Sequence, residues 1–273
     1  MVADSQREGQ PHEGSAVSAP SETERERGGA LSAVGGWLRE IAIVVVGALI
    51  ASTLLRLFVA QMFVIPSGSM ENTLLVRDRV AVQKIAGYQR GDIIVFRDTL
   101  DWLAPAKVND DPVNRALVFV GLAPDESSNH LIKRVIGVPG DHVTCCDARG
   151  RVSVNGTALN EGDYLYVDPT TGKQVEPSSV AFDIVVPAGR VFVMGDHRND
   201  SADSRCHLSD DTRGAPEGTN AFIPVENIVG TAVAVVYPFS RFHGISRPRT
   251  FEGVPAGEAP PEAPVLTGPK VVC

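Results

Sequence analysis

His130 to Val138 reads HLIKRVIGV, an apolar, β-branched run closed by Pro139-Gly140 and interrupted in its middle by Lys133 and Arg134. A short apolar stretch bounded by turn residues reads as a buried strand. The same signature recurs on both sides of it. RVAVQKI (Arg79 to Ile85) and DIIVF (Asp92 to Phe96) precede it, and RVSVNGTAL, YLYVD, VAFDIVV, RVFVMG and NIVGTAVAVV follow between Arg151 and Val236, broken by Gly, Pro and Asp. Asn155-Gly156, between two alternating runs, is a two-residue hairpin signal. These segments predict a mainly β, antiparallel body. Asp111 to Gly121, DPVNRALVFVG, is the exception and reads as a short helix, since Asp-Pro opens helices well.

Upstream, Ile41 to Leu55 carries no charge, and apolar character resumes after Arg56. About 20 helical residues cross a bilayer, so residues 37–60 read as one transmembrane anchor, with Arg56 near an interface where its long side chain can snorkel. A cleaved secretory signal would begin nearer the N-terminus and end at an Ala-x-Ala site, so the anchor is expected to be retained. Residues 1–36, rich in Gly, Ser, Glu and Arg, read as a disordered tail. Residues 61–245 form the β body, and the Pro-rich residues 246–273 read as a C-terminal tail. Arg25, Arg27 and Arg39 before the charge-free stretch are matched by Arg56, Arg77, Arg79 and Lys84 after it. The simpler single-pass topology then places the N-terminal tail in the cytoplasm and the body outside the cell membrane.

A net charge of −8 with no basic cluster excludes a nucleic-acid surface. The four cysteines and six histidines show no metal-ligand spacing, so neither a metal nor another cofactor is expected. What remains is nucleophilic chemistry. Just past the anchor, FVIPSGSM (Phe63 to Met70) places two serines around a glycine behind a proline. By itself this is a turn, with Gly68 free to take positive φ. Serine attacks only when a base takes its proton. Two bases are open to Ser69: Lys133, whose apolar neighbours would lower its pKa, and His197 in GDHRNDSADSR, with Asp196 or Asp200 as orienter.

Four segments in order behind an anchor carry a resemblance: IPSGSMENTL (Ile65 to Leu74), RGDIIVF (Arg90 to Phe96), IKRVIGVPGD (Ile132 to Asp141) and GDHRNDSADSR (Gly195 to Arg205). Together they resemble the bacterial type I signal peptidases, membrane-anchored Ser-Lys endopeptidases that remove signal peptides from exported preproteins. The resemblance implies Ser69 as nucleophile and Lys133 as general base. It implies Ser67 Oγ and the Ser69 N–H as oxyanion donors, and Ser201 as the group that hydrogen-bonds and orients the lysine amine. Gly68 then lets substrate approach, and Ile65 and Ile132 line pockets for small side chains upstream of the cut. Arg134, Asp196, Asp203 and Arg205 form a supporting ion-pair network. Implied partners are signal peptides, the lipid bilayer and the export machinery. His197 stands where many family members have asparagine.

The rivals are a Ser-His-Asp hydrolase using His197, a self-cleaving Ser-Lys repressor, and a tethered binding module in which Ser69 and Lys133 are dispensable. Cys206, after the last motif, could bridge to Cys145 or Cys146 if the strands carrying Ser201 and Lys133 lie together; free thiols are the alternative.

Overall fold

The computed structural model describes residues 22–104, 111–113, 129–212 and 214–271. The segment expected as a short helix, Asp111 to Gly121, lies outside the described residues beyond Val113. The N-terminal unit is a helix, α1 (Glu22–Phe58), within which Gly36–Leu54 is long and apolar enough to cross a membrane. The disordered tail expected as far as residue 36 is therefore corrected: the helix begins at Glu22, and residues 1–21 lie outside the described ones. Helix nucleation is the unfavourable step, so once the apolar segment has formed the residues before it only have to extend it, the Glu, Arg and Ala residues offsetting the glycines Gly28, Gly29 and Gly35.

The other unit is built of thirteen strands among the described residues: β1 (Ala60–Val64), β2 (Arg79–Gln83), β3 (Ile93–Arg97), β4 (His130–Gly137), β5 (His142–Cys145), β6 (Ser153–Val154), β7 (Thr157–Ala158), β8 (Phe182–Val185), β9 (Arg190–Met194), β10 (Ile223–Pro224), β11 (Ile228–Tyr237), β12 (His243–Gly244) and β13 (Val265–Leu266). They make two antiparallel sheets. The larger runs β1-β2-β11-β3-β4-β9-β10, with β12 on β11, and the smaller runs β13-β8-β5-β6-β7. The mainly β, antiparallel fold behind one apolar helix is as the sequence predicts. Asn155 and Gly156 turn the β6–β7 hairpin with φ of 50° and 77°, the paired positive values a two-residue turn of this type requires. YLYVD is not a strand; Tyr164 and Leu165 are buried in a turn, and Val167 makes an isolated bridge to Gln174.

β4 lies between β3 and β9 in the larger sheet, which explains its nearly unbroken apolar sequence. Neighbouring strand residues face opposite sides, so Lys133 and Arg134 enter two different environments, and both are buried. The chain leaves this sheet after Gly137 and turns at Gly140, whose φ is 86° and where any side chain would strike the carbonyl of Glu258. The next strand, β5, belongs to the smaller sheet. That departure corrects the cysteine expectation. Cys145 is bonded to Cys146, and Cys206 is also disulfide-bonded, so neither sulfur of the pair is open to it. Cys145 ends a strand of the other sheet and Cys146 follows it, whereas Lys133 lies in the larger sheet.

The C-terminal tail is corrected as well. Phe251 and Val271 are buried, and β13 pairs with β8. In between, the Glu258 N–H donates to Gly140 O at 3.1 Å, the Ala188 N–H to Pro261 O at 2.8 Å, and Asn155 Nδ2 to Pro255 O at 2.9 Å. Periodicity reveals only regular elements, whereas a proline-rich segment loses little entropy on ordering and docks through scattered carbonyls.

Candidate active site

β1 and β2 form a hairpin whose connection, residues 65–78, carries Ser69. The Ile65 N–H donates to Asp78 O and the Arg77 N–H to Ile65 O, both at 2.9 Å, closing the base of this loop. Met70 and Leu74 anchor it in an apolar cluster that also contains Ile65 and Ile132. Gly68, Ser69 and Met70 make one 3₁₀ turn with Ser67 before it. Gly68 does not use the positive φ its type permits, and a side chain there would meet Glu71 Cδ at 3.1 Å and Asp200 Oδ2 at 3.4 Å. Ser67 is exposed, and its hydroxyl makes no capping bond to the turn.

Lys133 Nζ donates to Ser69 Oγ at 2.6 Å, in a site where Ser69 is 6% and Lys133 3% exposed. Burial lowers the lysine pKa to about 8, against the attraction of Asp203, Asp196 and Asp200. A substantial fraction of the amine is therefore neutral near physiological pH and able to take a proton.

Gly195 to Arg205 wraps this pair. The Asp203 carboxylate accepts from Gly195 N–H at 2.9 Å, Ser201 Oγ at 2.7 Å and Arg205 Nε and Nη2, each at 2.9 Å. Burial works to raise its pKa, but the Arg205 guanidinium and these donors prevail and hold the carboxyl below its ordinary value. A side chain on Gly195 would run into Ser201 Oγ and the Ser69 carbonyl, so Ser201 lies within one side chain's reach of the Ser69 turn, but its hydroxyl donates to Asp203 and not, as expected, to the lysine amine. On the other face of β4, Arg134 forks onto Asp196 at 2.8 and 2.6 Å, reaches Gly91 O at 2.6 Å, and lies 4.3 Å from the Tyr164 ring centroid. Burial opposes its charge, but Asp196 outweighs burial and raises its pKa. Thr73 Oγ1 donates to Asp196 at 2.5 Å, tying the loop that carries Ser69 to this pair.

Several residues of the site were not singled out from sequence. Thr73 is one; others are Arg198, bonded to Glu161 and to Gly195 O, and Tyr164 beneath Arg134. The arginine-acid alternation of GDHRNDSADSR was a usable signal for Arg198, whereas nothing local marks Glu161 or Tyr164. His197 does not face Ser69 Oγ. Its Nδ1 lies 3.3 Å from Gly68 O.

A family profile described as signal peptidase, peptidase S26, matches residues 38–237. The chain belongs to this signal peptidase family. A signal peptidase I of Mycobacterium tuberculosis (strain CDC 1551 / Oshkosh) is 39% identical over 230 residues, covering 75% of this chain and 74% of the relative. A probable signal peptidase I of Mycobacterium leprae is 36% identical over 244 residues, covering 79% and 82%. A crystal structure of a signal peptidase I from Enterococcus faecalis matches 54% of this chain and 97% of that one at 25% identity, with a TM-score of 0.33. As a signal peptidase family member the protein is a serine endopeptidase, and α1 gives it a membrane anchor. A non-enzymatic binding module is thereby set aside.

The lysine also has a consequence for the stability of this peptidase. Its folded pKa lies below the unfolded value, so below pH 8 both states are protonated and the folded state bears the full cost of a buried charge. Between about pH 8 and the unfolded value near 10.4 the unfolded chain binds the extra proton, and stability rises. Lys133→Met is expected to be inactive yet about 1–3 kcal/mol more stable at pH 6, an advantage that shrinks at pH 9. Thermal unfolding of both full-length proteins in detergent at the two pH values tests this; a mutant less stable at pH 6 would make Lys133 a charged structural residue.

Proposed function

We propose that the protein removes N-terminal signal peptides from exported preproteins after small residues of the Ala-x-Ala type, through a Ser69-Lys133 dyad and an acyl-enzyme. The observation that carries this reading is the buried 2.6 Å contact of Lys133 Nζ with Ser69 Oγ, beside a lysine pKa lowered to about 8. Neutral Lys133 takes the Ser69 proton as Oγ attacks the scissile carbonyl. The resulting oxyanion is met by the Ser69 N–H and the Ser67 hydroxyl. Collapse breaks the C–N bond, and the Lys133 ammonium returns its proton to the departing amine, which becomes the new N-terminus of the mature protein. Water, deprotonated by the Lys133 amine, then attacks the ester carbonyl; as the ester C–O bond breaks, the Lys133 ammonium returns the proton to Ser69 Oγ and the signal peptide leaves as the acid.

Ser201 orients the lysine in this scheme, acting from Asp203, to which it is bonded. Gly68 leaves room for the substrate backbone, and Ile65 and Ile132 admit alanine-sized side chains. Arg134, Asp196, Asp203 and Arg205 hold the two motif segments in register. The anchor places enzyme and signal peptide in one membrane, which raises their effective concentration. We place the N-terminal tail in the cytoplasm and the catalytic body outside the cytoplasmic membrane, where export machinery delivers preproteins. The chemistry requires no cofactor.

The test is incubation of the purified protein with a preprotein bearing Ala-x-Ala, with Ser69→Ala as control. Cleavage after the second alanine by wild type alone supports the reading; cleavage elsewhere, or by both, overturns it. Within it, Ser67→Ala removes one oxyanion donor and is expected to lower kcat by about 10²–10³ with little change in KM. An unchanged kcat would remove Ser67 from the mechanism.

A further inference from the structure

His197 occupies a position the proposed chemistry leaves without a role, yet it makes two contacts with the nucleophile turn. Its backbone N–H donates to Ser69 O at 3.1 Å, and its Nδ1 lies 3.3 Å from Gly68 O. The same nitrogen has Glu71 Oε2 at 3.5 Å and Asp200 Oδ2 at 3.9 Å. A carbonyl and a carboxylate only accept, so Nδ1 carries a hydrogen and donates. The ring cannot easily turn away, because it stacks on Tyr166 with centroids 3.7 Å apart and planes 22° from parallel. Tyr166 is itself held, its N–H donating to Asp196 O at 3.2 Å and its carbonyl accepting from Val175 N–H at 2.9 Å.

The Gly68 carbonyl and the Ser69 N–H belong to one planar trans peptide and point in opposite directions. Gly68 O accepts from the Glu71 N–H at 2.9 Å within the turn and has His197 Nδ1 as its second partner, and whatever holds this oxygen from one side aims the Ser69 N–H towards the other. We infer that His197, wedged by Tyr166, is a positioning residue that fixes this peptide plane and so directs the Ser69 N–H at the oxyanion. The inference rests on the Ser-Lys reading above. It also accounts for a histidine at this point without making it a base, since the nitrogen facing the turn is already committed as a donor.

Misaiming one donor costs less than deleting it, so His197→Ala is expected to lower kcat about tenfold with KM within about twofold. A peptide aldehyde ending in alanine, which Ser69 converts to a tetrahedral adduct, binds weaker by the same factor, while the product peptide acid binds unchanged. His197→Asn, whose side-chain amide can donate to Gly68 O, restores most of kcat. Tyr166→Ala reproduces the loss, and the double variant is no worse than either single one, because the two rings act as one unit. The inference is overturned if His197→Ala keeps kcat within twofold, if product binding weakens together with kcat, or if His197→Asn is no better than alanine. A loss in His197→Ala as deep as that in Lys133→Ala would instead make imidazole the base and overturn the Ser-Lys reading itself.

Discussion

Full-length Ser69→Ala and Lys133→Ala proteins, purified in detergent, are each expected to leave an Ala-x-Ala preprotein uncut, with rates down about 10⁴-fold or more. The size follows from the division of labour. In the proposed dyad, loss of Ser69 removes the nucleophile and loss of Lys133 leaves the hydroxyl its proton; removal of either member of such a unit costs nearly what removal of both does. The double variant is therefore expected to be no slower than the single ones. Wild-type activity is expected to rise with pH through about 8, where the buried amine loses its proton. Initial rates over pH 6 to 10 with the three variants check this. A Lys133→Ala protein that retains a tenth of the activity, or a wild-type rate that falls as pH rises through 8, would defeat the dyad.

The second large effect concerns the ion pair behind the site. Arg134 and Asp196 are both fully buried, and removal of one leaves the other charge without its partner. Arg134→Met is expected to destabilise the protein by about 3–5 kcal/mol, a large share of the 5–15 kcal/mol that holds a typical domain folded. Asp196 would also lose its fork, and with it the geometry that fixes Thr73 and the loop carrying Ser69. Replacing both charges with apolar residues of similar size, Arg134→Met with Asp196→Leu, is expected to recover much of the stability, because an isolated buried charge costs more than a missing pair. Denaturant unfolding of wild type, single and double variants measures the terms. An Arg134→Met protein within about 1 kcal/mol of wild type would show that the pair holds nothing together.

Much of this protein is legible locally. The strand segments are announced by β-branched runs between Gly, Pro and Asp, and the β6–β7 turn by Asn155-Gly156, because both depend on preferences of adjacent residues. The apolar core of α1 is equally plain, since crossing hydrocarbon is a matter of length and composition. Where cooperative extension or distant contacts decide, reading from neighbours fails. The helix runs back to Glu22 because an existing helix is easily lengthened, and the Pro-rich end is docked because Gly140, Asp183 and Ser209, far away in the chain, offer partners for its backbone.

The site divides in the same way. Residue chemistry alone nominated Ser69, with Lys133 and His197 as competing bases, since an isolated serine near an apolar lysine or a polar histidine looks equally serviceable in one dimension. The folded sheet places them differently. It buries Lys133 against Ser69 Oγ and turns His197 Nδ1 towards the Gly68 carbonyl. Desolvation, which lowers the lysine pKa, is a property of the whole packed body and cannot be computed from neighbours along the chain. For the same reason Glu161, Tyr164 and Thr73 carry no local mark: each matters through a partner 37 to 123 residues distant or a ring contact that exists only after the sheets have closed.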